Sequence, residues 1–224
     1  MRFEPRHPWP TNAADAIAIQ KQLRGEIITT DQIGEVRTVA GVDVGFEAEG
    51  TITRAAIAVL SFPQLDLIDQ SIARTPTTFP YVPGLLSFRE APAVIQALEQ
   101  LDQLPDLLLC DGQGIAHPRR FGIAAHLGLL TNIPSIGVAK SWLIGTYDAV
   151  GDERGAWQPL IDRGNTIGAV LRTRSGTKPL FISIGHRLSL PTAIDYVMRC
   201  TTKYRLPETT RWAHKLASGP ATDK

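Results

Sequence analysis

A chain of 224 residues, 43% apolar and 20% charged, has the length of one large or two small domains and enough apolar side chains for a sizeable core, which excludes the disordered classes. No apolar run approaches the ~18 residues needed to span a bilayer, and no basic-then-apolar leader opens the chain, so a soluble cytoplasmic protein with no membrane partner is expected. The net charge of +1 conceals a segregation, −7 over residues 1–111 and +8 over residues 112–224, and the basic half points to a polyanionic partner unless folding disperses it.

Residues 11–24 place Ala14, Ile17, Ala18 and Leu23 near helical spacing, with Thr11 or Asn12 as cap and Gly25 as stop. Three β-rich runs follow, 37–46 (RTVAGVDVGF), 51–62 (TITRAAIAVLSF) and 65–73 (LDLIDQSIA), whose short connections predict an antiparallel meander. Residues 74–83 carry three prolines and must form a loop. A helix is predicted over 87–101. Residues 105–111 (PDLLLCD) then read as a strand buried on both faces and ending at a carboxylate. A glycine turn, a helix over 120–130 and a buried strand over 135–139 come next, then strands over 166–173 and 180–184 and a helix over 191–203 opened by Pro191. Residues 217–224 are expected to fray as a tail, leaving one domain over residues 1–216. Three antiparallel strands followed by helix, strand, helix, strand match the ribonuclease H-like architecture, an α/β mixed sheet flanked by helices.

Asp43 interrupts the apolar run VAGVDVG, and Asp111 ends the run LLLC. A carboxylate in such a setting costs several kcal/mol to desolvate unless a cation compensates it. If the two strands are neighbours, both carboxylates reach one point, and two hard oxygen donors without a Cys or His cluster favour Mg²⁺. Glu90 has two readings. Ser87-Phe88-Arg89-Glu90 fits a capping box that ties down a helix start, while a glutamate one turn into that helix also faces the metal. Arg119 and Arg120 open a predicted helix against its dipole, which calls for an anion such as phosphate. Lys140 emerges at a strand end, where it meets a phosphate or is merely solvated. His126 reads as a satisfied core or surface histidine. Tyr81, stiffened by Pro80 and Pro83, is either a wedge between bases or the lid of a plain turn. Cys110 and Cys200 sit in apolar stretches, as buried thiols do in reducing compartments.

These residues together resemble the endonuclease V family, the inosine-directed nucleases of DNA repair. The matching segments are 39–45 (VAGVDVG), 80–90 (PYVPGLLSFRE), 111–128 (DGQGIAHPRRFGIAAHLG), 134–140 (PSIGVAK) and 207–216 (PETTRWAHKL). Val82 stands where the family pattern has isoleucine. The resemblance implies hydrolysis, with Mg²⁺ or a substituting Mn²⁺, of the second phosphodiester bond 3′ to a deoxyinosine, leaving 3′-hydroxyl and 5′-phosphate ends. It implies Asp43 and Asp111 as metal ligands, Glu90 completing the acidic set, His214 near it from a C-terminal helix, and His117 and Lys140 around the scissile phosphate. It implies a wedge of Pro80, Tyr81, Val82 and Pro83 filling the gap left by an extruded base. Gly84, Leu86, Gly112, Gly114, Ile123 and Leu143 would line the base pocket. The expected partner is inosine-containing DNA bound by a monomer, with inosine in RNA presenting the same base edge.

Two other readings stand beside this one. A binding module of the same fold would recognise deaminated bases without cutting, although three carboxylates kept without a metal would be pure repulsion. An ATP-using phosphotransferase is suggested by residues 41–45 (GVDVG) alone, and the chain lacks room for the second lobe such enzymes close on nucleotide.

Overall fold

In β1 (Thr38–Glu47) successive side chains enter opposite layers: Ala40 and Val42 join one core cluster and Val39 the other. The computed structural model, which describes residues 3–219, builds the rest of the fold around this doubly buried strand. β2 (Ile52–Ser61) pairs antiparallel with β1, and β3 (Leu67–Pro76) antiparallel with β2, which completes the expected meander. β4 (Leu107–Cys110) lies parallel to β1 on its other side, and β5 (Ser135–Ala139) parallel to β4. Next to β5 comes β8 (Leu180–His186), antiparallel, then β7 (Asn165–Leu171) and β6 (Trp157–Asp162). The eight strands form one sheet in the order β3-β2-β1-β4-β5-β8-β7-β6, the ribonuclease H-like arrangement extended by an antiparallel hairpin.

β6 was not expected. Its sequence WQPLID carries Pro159, which removes a donor and is tolerated because β6 is an edge strand. Arg163 and Gly164, both at positive φ (54° and 76°), turn the chain from β6 into β7, as a two-residue hairpin requires.

The helices cover both faces. α1 (Ala13–Leu23) is capped by Asn12, whose side chain accepts from the Asp15 amide at 3.0 Å. α2 (Leu86–Leu98) and α3 (Ile123–Thr131) cover the layer that contains Val42, Leu108 and Cys110. α4 (Leu190–Arg199), capped by Ser189, packs on the opposite layer with Leu109, Ile136 and Ile182. α5 (Glu208–Ala217) lies against β1 and β2. It comes so close that a Cβ on Gly41 would stand 1.9 Å from the Thr209 carbonyl oxygen, so only glycine admits the helix there.

Two expectations are corrected. α2 begins at Leu86 with Leu85 as its cap residue and no side-chain cap, so Ser87-Phe88-Arg89-Glu90 is not a capping box: Ser87 already lies inside the helix. The tail does not start at Ala217. That residue closes α5 and is buried, and Ser218 still donates to the His214 carbonyl; residues 220–224 lie outside the described ones.

Candidate active site

The parallel pairing of β1 and β4 ends at Val42 opposite Cys110, and the Asp111 amide still donates to the Val42 carbonyl at 3.0 Å. β4 stops there while β1 continues, so Asp43 and Asp111 are adjacent where the two strands part. Ligand sites in open α/β sheets form where parallel strands end and diverge. Glu90 reaches the same place from α2, and the three carboxylate residues line a small cavity of about 30 Å³ together with Val42, Val44, Cys110 and Ile123.

Each aspartate is held by a basic residue from the second half of the chain. Asp43 accepts from the Val44 amide at 2.8 Å through Oδ1 and from His214 Nδ1 at 2.7 Å through Oδ2. Asp111 is ion-paired with Lys140. The acidic N-terminal and basic C-terminal segments therefore meet at this cleft. Neutralisation is incomplete: burial, then the Asp43 and Asp111 charges, push the Glu90 carboxyl up to about 8. Burial also raises Asp111, against the opposing hydrogen bond from Lys140. As the side chains stand, no three His, Cys, Asp or Glu groups among the described residues form a ready-made metal cage, since Asp43 is turned to His214 and Asp111 to Lys140. The donor set nevertheless fits a hard divalent cation. It offers carboxylate oxygens only, crowded and short of positive charge, and a cation between them would relieve the repulsion that raises Glu90.

Beside the cleft a pocket of about 370 Å³ opens, with Glu90 and Asp111 in its wall. Its size is ordinary for a small-ligand site. Of the residues chosen from sequence, Tyr81, Pro83, Gly84, Leu86, Gly112, His117, Ile123, Lys140 and Leu143 line it. Gly112 sits at φ 154°, where a Cβ would stand 2.6 Å from Ile123, so a side chain there would collide with the wall. Gly114 is not among the lining residues. It is buried against β8, with its amide donating to Ser183 at 2.8 Å, and serves packing. Pro80 and Val82 do not line the pocket either; Val82 packs with Phe79, Leu85 and Phe88. Sequence reading missed Gln20, Ser87, Gln113, Phe121 and Trp142. Trp142 carried a signal, an aromatic residue in the loop three positions past the end of β5. Gln113 holds a buried Oε1 with no hydrogen-bond partner while its amide nitrogen donates to Ser141.

Tyr81 is not the lid of a packed turn. Phe79 and Leu85, each 1% exposed, anchor the two sides of the loop in the core, and the Tyr81 ring between them remains 68% exposed at the pocket mouth. Two expectations about cations and phosphate are revised. His117 is buried with both ring nitrogens engaged: Nδ1 accepts from the Arg119 amide at 3.2 Å, which leaves Nε2–H to donate to the Gly84 carbonyl at 3.0 Å. Burial, reinforced by Arg119, lowers its pKa to about 4, so it is a neutral brace of the pocket wall without a nitrogen to spare for phosphate. Arg119 and Arg120 lie in the turn before α3 and are already satisfied. Arg119 donates to Gln20 and the Gly84 carbonyl, and Arg120 to Asp162 at 2.5 Å and the His117 carbonyl. The anion that the position of Arg120 called for is Asp162, while Arg119 has only neutral partners.

Residues 21–215 match the family model described as Endonuclease V. The Endonuclease V of Trichormus variabilis is 64% identical over 219 residues, 97% of this chain and 99% of that protein. Among solved structures, the Endonuclease V of Streptomyces avermitilis superposes with a TM-score of 0.90 at 43% identity, covering 97% of this chain and 96% of that one. The Endonuclease V of Ciona intestinalis, in complex with a 23mer DNA containing an inosine followed by a ribo-adenosine, gives 0.81 at 30% identity over 92% and 95%. With the carboxylate cleft and its adjoining pocket in place, the family-model match over residues 21–215 and the 64% identity over nearly the whole chain make this chain a member of the endonuclease V family of nucleases.

Proposed function

We propose that this protein is a divalent-cation-dependent endonuclease that recognises inosine in DNA and hydrolyses the second phosphodiester bond on its 3′ side, leaving 3′-hydroxyl and 5′-phosphate ends. The observation that carries the proposal is continuity: Glu90 and Asp111 belong both to the carboxylate cleft and to the wall of the adjoining pocket. A base extruded into the pocket is thereby tied to a backbone phosphate passing over the cleft. The Ciona intestinalis relative bound to inosine-containing DNA supports the choice of base.

Asp43 and Asp111 would hold the cation, Mg²⁺ or Mn²⁺, with Glu90 completing the set. When bound, the cation supplies positive charge at the phosphate and acidifies water. His214 donates through Nδ1 to Asp43, which leaves Nε2 to take up or release a proton beside the phosphate. Lys140, exposed and paired with Asp111, brings an ammonium to the same edge. Tyr81 stacks into the gap left by the extruded base, an exchange that recovers part of the few kcal/mol spent on unstacking. The pocket wall offers backbone at Gly84, Leu86 and Gly112, with Ile123 and Leu143 as apolar surfaces against the purine. Buried thiols at Cys110 and Cys200 suit a reducing cytoplasm, where the protein would act as a monomer.

The test is a duplex carrying one deoxyinosine, incubated with Mg²⁺ beside the undamaged duplex and beside the matched RNA strand. Nicking near the lesion in DNA alone supports the proposal. Equal cutting of damaged and undamaged duplexes defeats the specificity, and preferential cutting of the RNA moves the substrate to RNA.

A further inference from the structure

His126 is fully buried in α3, 119 residues away in sequence from His7, yet their Nε2 atoms stand 2.8 Å apart. On the far side of the His126 ring, Nδ1 lies 3.0 Å from the hydroxyl of Ser87, a pocket-lining residue. At the other end of the chain, His7 Nδ1 is 2.8 Å from the Pro8 carbonyl oxygen. A carbonyl only accepts, so His7 must carry its proton on Nδ1, and a neutral His7 then presents Nε2 as an acceptor. His126 must answer with Nε2–H, which leaves its Nδ1 bare to accept the Ser87 hydroxyl proton. The aromatic contacts of His7 with Trp9 (5.0 Å) and Phe88 (5.8 Å) hold the first ring in place. Burial keeps His126 uncharged.

We infer that this relay of Pro8, His7, His126 and Ser87 fixes the Ser87 oxygen as an acceptor toward the pocket, and so makes Ser87 a specificity-determining residue for bases that carry a proton on the facing ring nitrogen. The inference rests on the pocket receiving the base, as proposed above. With its only proton committed to His126, the Ser87 oxygen meets a base with lone pairs alone. Hypoxanthine has an N1–H to give. Adenine and unsubstituted purine present a bare N1 in its place, and two lone pairs then oppose each other in a desolvated site. His7 touches no part of the pocket and acts as a positioning residue through His126.

Two measurements on the full-length protein test this. Long-range ¹H–¹⁵N NMR at mildly alkaline pH reads the His126 tautomer; protonated Nε2 and bare Nδ1 are expected, and the opposite tautomer overturns the relay. Fluorescence anisotropy then compares binding of oligonucleotides with a single hypoxanthine or a single unsubstituted purine. Ser87→Ala is expected to reduce the preference for hypoxanthine about tenfold, the value of one buried hydrogen bond. His7→Phe keeps the ring contacts but removes the acceptor, which frees His126 to switch tautomer; the preference should fall several-fold, and His7→Gln, with an amide oxygen in its place, should restore it. An unchanged preference in a folded His7→Phe protein overturns the inference. Should the wild type not prefer hypoxanthine at all, the functional proposal fails, while the NMR result separately decides whether the relay has the stated order.

Discussion

Around Asp43, Glu90 and Asp111 the protein crowds like charges with too few cations to neutralise them, whereas the pocket alongside is walled by backbone, apolar side chains and polar groups that are nearly all paired. Glu90 is pushed up to about 8 in the first region. In the second, His117, Arg119 and Ser87 each have defined partners. Satisfied groups are rigid and hold a shape, which recognition needs. Under-neutralised groups attract a counter-charge, which chemistry on a phosphate needs, and they lower the stability of the fold until that charge arrives.

The sharpest way to break this division is to substitute on the two sides and compare. Asp43→Ala or Asp111→Ala should lower cleavage of an inosine oligonucleotide on the order of a thousandfold, since on the proposed reading each would remove a ligand for a charge that stabilises the transition state by several kcal/mol. Circular dichroism and thermal melting should show a folded protein no less stable than wild type when a chelator is present, because repulsion is relieved. Chelation of the wild type should abolish cleavage equally. A large loss of stability in either variant would mean that the aspartates are structural.

Within the pocket rim, Phe79 and Tyr81 lie two residues apart and should behave oppositely. Phe79→Ala removes a side chain that is 1% exposed and is expected to cost about 3 to 5 kcal/mol in denaturant unfolding. Tyr81→Ala removes a ring that is 68% exposed and should change stability by less than about 0.5 kcal/mol. It should nonetheless weaken binding of inosine duplex roughly tenfold, the scale of one base–aromatic stack. Equal destabilisation by both would make Tyr81 part of the core.

What sequence could and could not foresee follows from the range of the interactions. Asp43 and Asp111 were legible because each breaks an apolar run, and runs of this kind identify buried strands without knowledge of their partners. Glu90 was ambiguous because a capping box and a mid-helix S-x-x-E look alike; the choice depends on whether α2 begins at Leu86 or later, and burial of Leu85 and Phe88 decides that in three dimensions. β6 was hidden by Pro159, which is acceptable only at a sheet edge that sequence does not reveal. Arg120 seemed to want a phosphate because Asp162, its partner, lies 42 residues further on. His7 gave no signal, since its role depends entirely on His126.

A last and smaller effect separates the two regions by the sign of their response to pH. Glu90 has a folded pKa of about 8 against 4.5 for an ordinary glutamate, so between those values it keeps a proton in the folded protein that it has lost in the unfolded chain, and its contribution to stability falls as pH rises through that interval. Asp111, also raised, acts in the same direction. His117 has a folded pKa of about 4 against an ordinary 6.5, so it gains its proton first in the unfolded chain, and its contribution to stability falls as pH drops from 6.5 toward 4. His186, lowered to about 4 by burial, reinforces that acid limb. With a chelator present, melting temperature should therefore pass through a maximum in mildly acidic solution. Glu90→Gln should flatten the alkaline limb above pH 6.5 and steepen the acid limb, which the glutamate otherwise opposes, while His117→Gln, which keeps a donor for Gly84 but cannot titrate, should soften only the acid limb. Adding Mg²⁺ should act like Glu90→Gln on the wild type, because a bound cation removes the reason for the glutamate to hold its proton. If Mg²⁺ softened the acid limb instead, the charge deficit would lie at the pocket wall and the division between the two regions would have to be redrawn.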